Sequence, residues 1–516
     1  MNRLLSVLAS SLCCWFIATQ LAAQDTPLAR LPEKPSEKQA TSQPAVVLKP
    51  GESPIDLGSA LRLAGVQNLE LIIARERVTE TLAIKQWAAA QALPNINIGS
   101  NYDAHRGPLQ QDNGNILNVS RDSLYVGLGA NAVGGGTVNI PGVNYNLNIG
   151  TAWFNYLQSQ QLVARAEAAT RTTENNTLLR VCLGYTDLLQ AEARLAILVQ
   201  NKNDAAELAR ITEAFAQTGQ GRKADADRAQ VELRKRESEV AQGEADIISS
   251  SARLAKILNL DPVVKLVCVE GNTVPSPVVP DPVPVSELVA IALMQRPELE
   301  ERRAEIVQSI YALSNAKWLP FSPNVVLGFS TGAFGGGSNL ISQPPGFIGG
   351  NGVLQTGPRF GNFDDRVDFD AIIYFTFQNL GFGNLAQIKA SDSRVKQAEL
   401  RQLDTTNRIR AEVVEAHART QAKLKQIDPA LQALESSKQA FTQDMARIRG
   451  RQGLPIEVVD SMRLLGRSRI EYLDTIMEFN RTQFQLYVAM GQPPAAALAR
   501  PVPASTLPDT STQEKK

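Results

Sequence analysis

The chain has 516 residues, enough for several domains' worth of core, with 52 basic and 52 acidic side chains and so no formal net charge. That balance argues against a nucleic-acid binder, which carries a basic excess. Four cysteines exclude a disulfide scaffold, and two histidines, His105 and His417, leave almost no material for a Cys/His metal centre or a His-based triad.

Met1 to Ala23 reads as a secretory signal. Arg3 gives the positive end, Leu4 to Leu21 is mostly apolar, and Leu21-Ala22-Ala23 is a small-residue cleavage site before Gln24. Lipidation at Cys13 or Cys14 stays open. Residues 24–50, rich in Pro, Lys, Ser and Gln, and the tail 496–516 have disordered compositions. A first unit, 51–261, begins with Ala83–Ile98, a helix ending at Leu93-Pro94 and then a short alternating strand. Residues 104–142 are glycine-bearing and read as a surface loop, in which Leu124 to Asn131 also alternates and leaves an extra strand open. A second strand sets Val143, Tyr145, Leu147 and Ile149 against Asn144, Asn146, Asn148 and Gly150. A long helix runs from Asn155 to Gln217, turns at Thr218 to Gly221, and is followed by another. The Pro/Val-rich stretch 262–284 is an extended crossing.

The second unit, 285–495, repeats this grammar. A helix ends at Leu319-Pro320, Asn324 to Leu327 alternates, and Gly335 to Asp365 is a glycine-rich loop. Residues 366–378 place Val367, Phe369, Ala371, Ile373, Phe375 and Phe377 on one face. A long helix, a turn at Gly450 to Gly453 and a final helix to Gly491 follow. Pro94 and Pro320, Val143 and Val367, and Gly221 and Gly453 recur at nearly one offset, which indicates duplication of a strand–strand–helix–helix unit. The long helices carry 3-4 seams of the coiled-coil kind. One runs Leu178, Cys182, Tyr185, Leu189, Glu192, Ala196, Val199; the other runs Met462, Leu465, Arg469, Tyr472, Ile476, Phe479, Gln483, Leu486, Met490. Cys182 lies on that seam as a core residue, and a pairing with Cys268 stays open.

Alternation of this kind suits either a half-buried sheet or an outer-membrane stave with Val367, Phe369, Ile373, Phe375, Phe377, Tyr145, Leu147 and Ile149 toward lipid. Trp153 and Phe377, where strand gives way to helix, suit a membrane interface. No stretch after residue 30 is long and apolar enough for a membrane helix. Two strands per half make four per chain. Four cannot close a barrel, and an open sheet in lipid leaves backbone groups unpaired, so three chains sharing twelve strands is the expected solution. The fold class expected is α+β: four strands per chain in a shared trimeric barrel, continued by a long antiparallel coiled-coil tunnel, internally duplicated.

Three pieces then carry a resemblance. They are the Ala-rich helix ending at Leu93-Pro94 with its echo before Pro320, the run Phe377-Gln378-Asn379-Leu380-Gly381-Phe382-Gly383 leading into Ile388-Lys389-Ala390, and Gly453-Leu454-Pro455-Ile456-Glu457-Val458-Val459-Asp460 followed by an unbroken helix. In order and duplicated, across nearly all of 55–494, they resemble the TolC family of outer-membrane efflux channels. The resemblance implies a homotrimer in the outer membrane with its helical tunnel in the periplasm. It implies a periplasmic adaptor and an inner-membrane transporter as partners, no nucleic acid, no cofactor, no metal and no catalytic residue. Glu457 and Asp460 match the family's acidic pair at the constricted periplasmic entrance. Spaced i, i+3 they share a helix face, and three copies make rings of negative charge, while acids at a helix start are equally a dipole effect. In the first half Asp225 matches Glu457 and Arg228 matches Asp460, which suggests an Arg228 contact to an acid across neighbouring helices. Arg447, Arg449, Arg451, Arg222 and Lys223 at the two turns read as an adaptor-docking patch or as a solvated tip. The competing reading is a periplasmic coiled-coil adaptor or scaffold, which needs only one helical hairpin. A hydrolase lacks a nucleophile–base pair. The cargo is not legible.

Overall fold

The protein is described as a computed structural model covering residues 52–110, 114–130, 140–270, 273–279, 283–338, 361–450 and 452–494. The expected signal sequence, both tails, Arg451 and the glycine runs at 133–136 and 344–350 lie outside the described residues.

Helices come in matched pairs. Two of 11 residues are α1 (Leu57–Gln67) and α5 (Val285–Gln295), and two of 22 are α2 (Leu69–Ala90) and α6 (Pro297–Trp318). Two very long ones, of 69 and 68 residues, are α3 (Ile149–Gln217) and α7 (Phe382–Arg449), and two of 35 are α4 (Lys223–Ile257) and α8 (Pro455–Ala489). At the helical rise α3 is about 100 Å long. Local chemistry sets the starts. Asp56, Asn68 and Asn148 accept backbone N–H groups of the first turns, and Pro297 and Pro455 occupy first helical positions, where no N–H is needed. α3 packs on α4, α7 on α8, and α3 also lies against α2, α6 and α8. The seam of α8 is largely inside, with Met462, Leu465, Ile476, Phe479, Gln483, Leu486 and Met490 buried, whereas that of α3 is buried at Leu178, Cys182 and Tyr185, half-buried at Leu189 and Glu192, and exposed at Ala196 and Val199.

Three buried clusters are strung along these helices. One, around Leu188 and Leu254, includes Ile55 and Cys268 from a two-stranded parallel ribbon, β1 (Glu52–Ile55) with β7 (Lys265–Cys268). The crossing between the halves therefore holds the start of the described chain, with Lys265 and Glu52 paired at 2.7 Å. Cys182 and Cys268 are both buried in this cluster and both free. Burial pushes the Cys182 thiol up to about 12, and burial together with the adjacent Glu192 carboxylate raises Cys268.

The sheet contains β2 (Asn95–Ile96), β3 (Ile98–Gln110), β4 (Ile116–Ala130), β5 (Ile140–Pro141), β6 (Val143–Asn148), β8 (Asn324–Ser338) and β9 (Gly361–Tyr374). Register resolves these into four antiparallel staves. β2 and β3 run on as one. β4 and β6 together form the second, because both lie antiparallel to β8, β6 opposite 324–329 and β4 opposite 331–338. The chain leaves this second stave after Ala130, returns through β5 beside Gly129 and Ala130, and resumes at Val143. β8 and β9 are the third and fourth staves. At the crossing of β4 and β8 the backbones touch so closely that a Cβ on Gly127 would sit 2.5 Å from Gly332 Cα, and glycine is required at both positions.

Three expectations change. Residues 104–142, read as a loop, are mostly strand: β3 and β4 form a hairpin, and the alternating stretch from Leu124 belongs to β4. Likewise Gly335–Ser338 and Gly361–Asp365 extend β8 and β9 rather than forming loop. Ile149 is the first residue of α3 and not a strand residue, because the Asn148 side chain caps the helix there. Phe375 and Phe377 lie beyond the end of β9, since β8 begins at Asn324 opposite Tyr374 and offers no backbone further on.

Candidate functional site

Two regions hold the candidate residues: the sheet and the helical turns at the far ends of α3 and α7. In the sheet, register aligns one face across all four staves. Ile98, Leu128, Thr331 and Val367 follow one another. Tyr145 lies beside Leu327 and Ala371, Leu147 beside Val325 and Ile373, and Val143 beside Phe329 and Phe369. Val367, Phe369 and Ile373 are 64%, 68% and 68% exposed, while Tyr145 and Leu147 in the middle of the sheet are half-buried. Ile149, Trp153, Phe375 and Phe377 are exposed around the strand–helix junction. Above the apolar rows, the buried Asp122 accepts from Tyr102 at 3.0 Å and lies 3.4 Å from Arg106. The other face bears Asn101, Asp103, Asn144, Asn146, Ser330, Asp368 and Asp370 at alternating positions.

At the turns, Glu457 is in the first turn of α8. Its carboxylate accepts the Leu454 N–H at 3.3 Å and lies 3.5 Å from Arg447 of α7. Asp460, one turn on, is exposed, and its charge acts on Arg463. Asp225 and Arg228 pair with each other at 3.3 Å on α4, where side chains at i and i+3 face each other. Of the basic cluster, Arg447 pairs with Glu457 and Asp444, and Arg449 reaches across to Glu207 of α3 at 3.4 Å. The Arg210 hydrogen bond, with the Arg210 and Arg449 charges, lowers the Glu207 carboxyl below its ordinary range.

The contacts that bind α8 to the first half were not visible in the sequence. Glu232, on α4 and 2% exposed, accepts from Arg236 at 2.7 Å and from Arg463 of α8 at 2.8 Å. Burial would raise its carboxyl, but the Arg463 hydrogen bonds and the Arg236 charge outweigh burial and lower it. On α3, Asp204 and Asn201 receive Arg469 at 2.7 and 2.6 Å, Gln190 donates to Asp474, and Asp187 with Gln190 receives Arg481. Between the two hairpins lies a cavity of about 720 Å³ lined by both signs of charge, including Arg194, Arg236, Lys423, Arg467 and Glu471. Among the described residues no group of His, Cys, Asp and Glu is placed to hold a metal, and no helix is long and apolar enough to cross a membrane.

The fold as a whole has counterparts among solved structures. The outer-membrane channel OprN superposes with a TM-score of 0.65 at 18% identity, over 84% of this chain and 89% of that one. CusC, whose structures follow folding and transmembrane channel formation, gives 0.65 at 18% over 84% and 92%. The outer-membrane protein VceC from Vibrio cholerae gives 0.62 at 14% over 84% and 96%. The fold is that of the TolC-family outer-membrane channels. No family model matches the sequence, and no curated protein matches it. In the TolC-like frame, the staves hold the apolar rows and the turns hold Glu457, Asp460 and the ion pairs, at opposite ends of α3 and α7.

Proposed function

We propose that three copies of this chain close one twelve-stranded barrel in the outer membrane and continue it into the periplasm as a helical tunnel. The observation that carries this is the pair of open edges. β3 and β9 are the outermost long staves, with 13 and 14 residues, and among the described residues neither has a partner on its far side. Such edges recruit another chain, and in lipid they must. The staves alternate in direction, so β9 of one copy meets β3 of the next antiparallel, as its other neighbours do. The exposed apolar row of β9 runs from Val367 to Ile373, Phe375 and Phe377 follow it at the junction with the helix, and the 14 residues of β9 exceed the roughly ten that a tilted stave needs to cross the hydrocarbon.

The assembly is a passive conduit of an efflux pump or type I secretion system, joined by a periplasmic adaptor to an inner-membrane transporter. Glu457 and Asp460 ring its narrow periplasmic end, and the polar face of the sheet lines the lumen. The test is mass in mild detergent together with outer-membrane fractionation and conductance in planar bilayers. A trimer that resists SDS until heated, and that conducts, is expected. A folded monomer, or a protein found only in the soluble periplasm, would leave the scaffold reading instead.

A further inference from the structure

Between β9 and α7 the chain makes a turn that the fold of a single copy does not explain. Three consecutive residues are left-handed: Asn379 at φ 48°, Leu380 at φ 58° and Gly381 at φ 89°. Asparagine and glycine tolerate this region, but a bulky residue there is an outlier. The turn itself is held without the leucine. The Asn384 side chain accepts the Gln378 N–H at 2.8 Å, and Gly383 packs closely on Gln378 and Asn379. Leu380 is 93% exposed, the most exposed large apolar side chain among the described residues. Glycine would relieve the backbone and remove an apolar group from water. A strained, fully exposed leucine is therefore unfavourable on both counts in the isolated chain, and this points to a contact supplied from outside it.

Its position says which contact. The turn comes three residues after β9, at one open edge of the sheet, and Phe382 and Leu385 continue an exposed apolar strip down α7. The opposite edge carries the matching strip at the same end of the staves: Leu93 and Ile96 stand just before β3, with Trp87 and Ile84 below them on α2, all exposed. Antiparallel pairing of β9 with β3 of a second copy brings the Tyr374 end of β9 beside the Asn95 end of the neighbouring edge. That places the turn against the last residues of α2. We infer that Leu380 is an intersubunit anchor, seated with Phe382 on the apolar end of α2 of a second copy. The inference rests on the trimer proposed above and deepens it: one head-to-tail contact, repeated three times, closes the ring at the strand–helix junction.

Leu380→Gly and Leu380→Asn keep residues suited to the left-handed turn and remove the apolar group, whereas Leu380→Met keeps an apolar group of similar size. Each full-length protein is purified in detergent, without a bilayer, and the loss of SDS-resistant trimer is followed with temperature and with dilution. The glycine and asparagine variants are expected to dissociate on the order of tenfold more readily per interface, the effect of re-exposing one leucine, while the methionine variant stays near wild type. Far-UV melting of the dissociated chains should be unchanged or raised in the glycine variant. Wild-type-like trimers in both polar-tolerant variants, including the result expected if Leu380 only dips into lipid, would overturn the anchor and leave the trimer standing. A wild-type protein that is monomeric in mild detergent would overturn the trimer itself, and the anchor with it.

Discussion

Glu232 is the place to perturb the union of α4 and α8. It is 3% exposed at its side chain and holds two guanidinium groups, Arg236 at 10% exposure and Arg463 at 54%. Among the described residues, its pairing with Arg463 is the one hydrogen-bonded side-chain link between those helices. Removing one member of a buried pair costs about 3–5 kcal/mol because the other charge is stranded. Here Arg463 is half in water and Arg236 keeps Glu239 at 2.8 Å, so Glu232→Ala should cost about 2–4 kcal/mol, and Glu232→Gln less. The assay is denaturant or thermal unfolding of the detergent-solubilised protein, with single-channel conductance as the second readout. Arg463→Gln in the Glu232→Gln background should add little, since the two act through one contact. The sign with pH follows from the lowered carboxyl. The contribution is complete above the unfolded carboxylate value, about 4.3, and disappears as pH falls through the lower folded value. A Glu232→Ala protein within about 0.5 kcal/mol of wild type, or one whose loss is unchanged at acid pH, would refute the reasoning.

Other outcomes are as specific. Glu457→Gln with Asp460→Asn should make conductance insensitive to divalent cations; unchanged block would remove these residues from the constriction. Burial raises Glu192, outweighing the Cys268 N–H that it accepts at 3.1 Å. A raised carboxyl destabilises the fold at neutral pH and ceases to do so as pH falls through the folded value toward the unfolded one. Glu192→Gln, which retains the acceptor, should therefore melt higher than wild type at pH 7 and equally at pH 4. Equal melting at pH 7 would contradict this. Gly332→Ala forces a Cβ to within 2.6 Å of Val126 O and should cost at least about 1–3 kcal/mol, read as a lower yield of heat-modifiable folded protein.

The helices were legible because their signals repeat many times: the seam from Leu178 to Tyr185 and that from Met462 to Met490 each recur every three or four residues, and glycines mark the turns. The last stave was legible for a similar reason, with Val367 to Ile373 alternating without interruption. β3 and β4 were not. Gly107, Pro108, Gly127 and Gly129 punctuate them like a loop, and only the opposing backbones show that Gly127 permits close approach to β8, two hundred residues on, and Gly129 to Ile140 and Gly142. In the candidate site the Glu457 and Asp460 spacing was readable along one helix. The pairing of Asp225 with Arg228 follows the same i, i+3 rule. Glu232–Arg463 and Asp204–Arg469 were beyond reach, because α3, α4 and α8 each carry many charges and only tertiary packing chooses which of them meet.

The interrupted second stave has a consequence for how such a chain tolerates change. Its two pieces are each aligned by the same continuous neighbour, β8. Inserting an epitope between Ala130 and Ile140 should therefore leave the hydrogen-bonded ladder on both sides intact. Adding a single residue inside β8 would throw both pieces out of step at once.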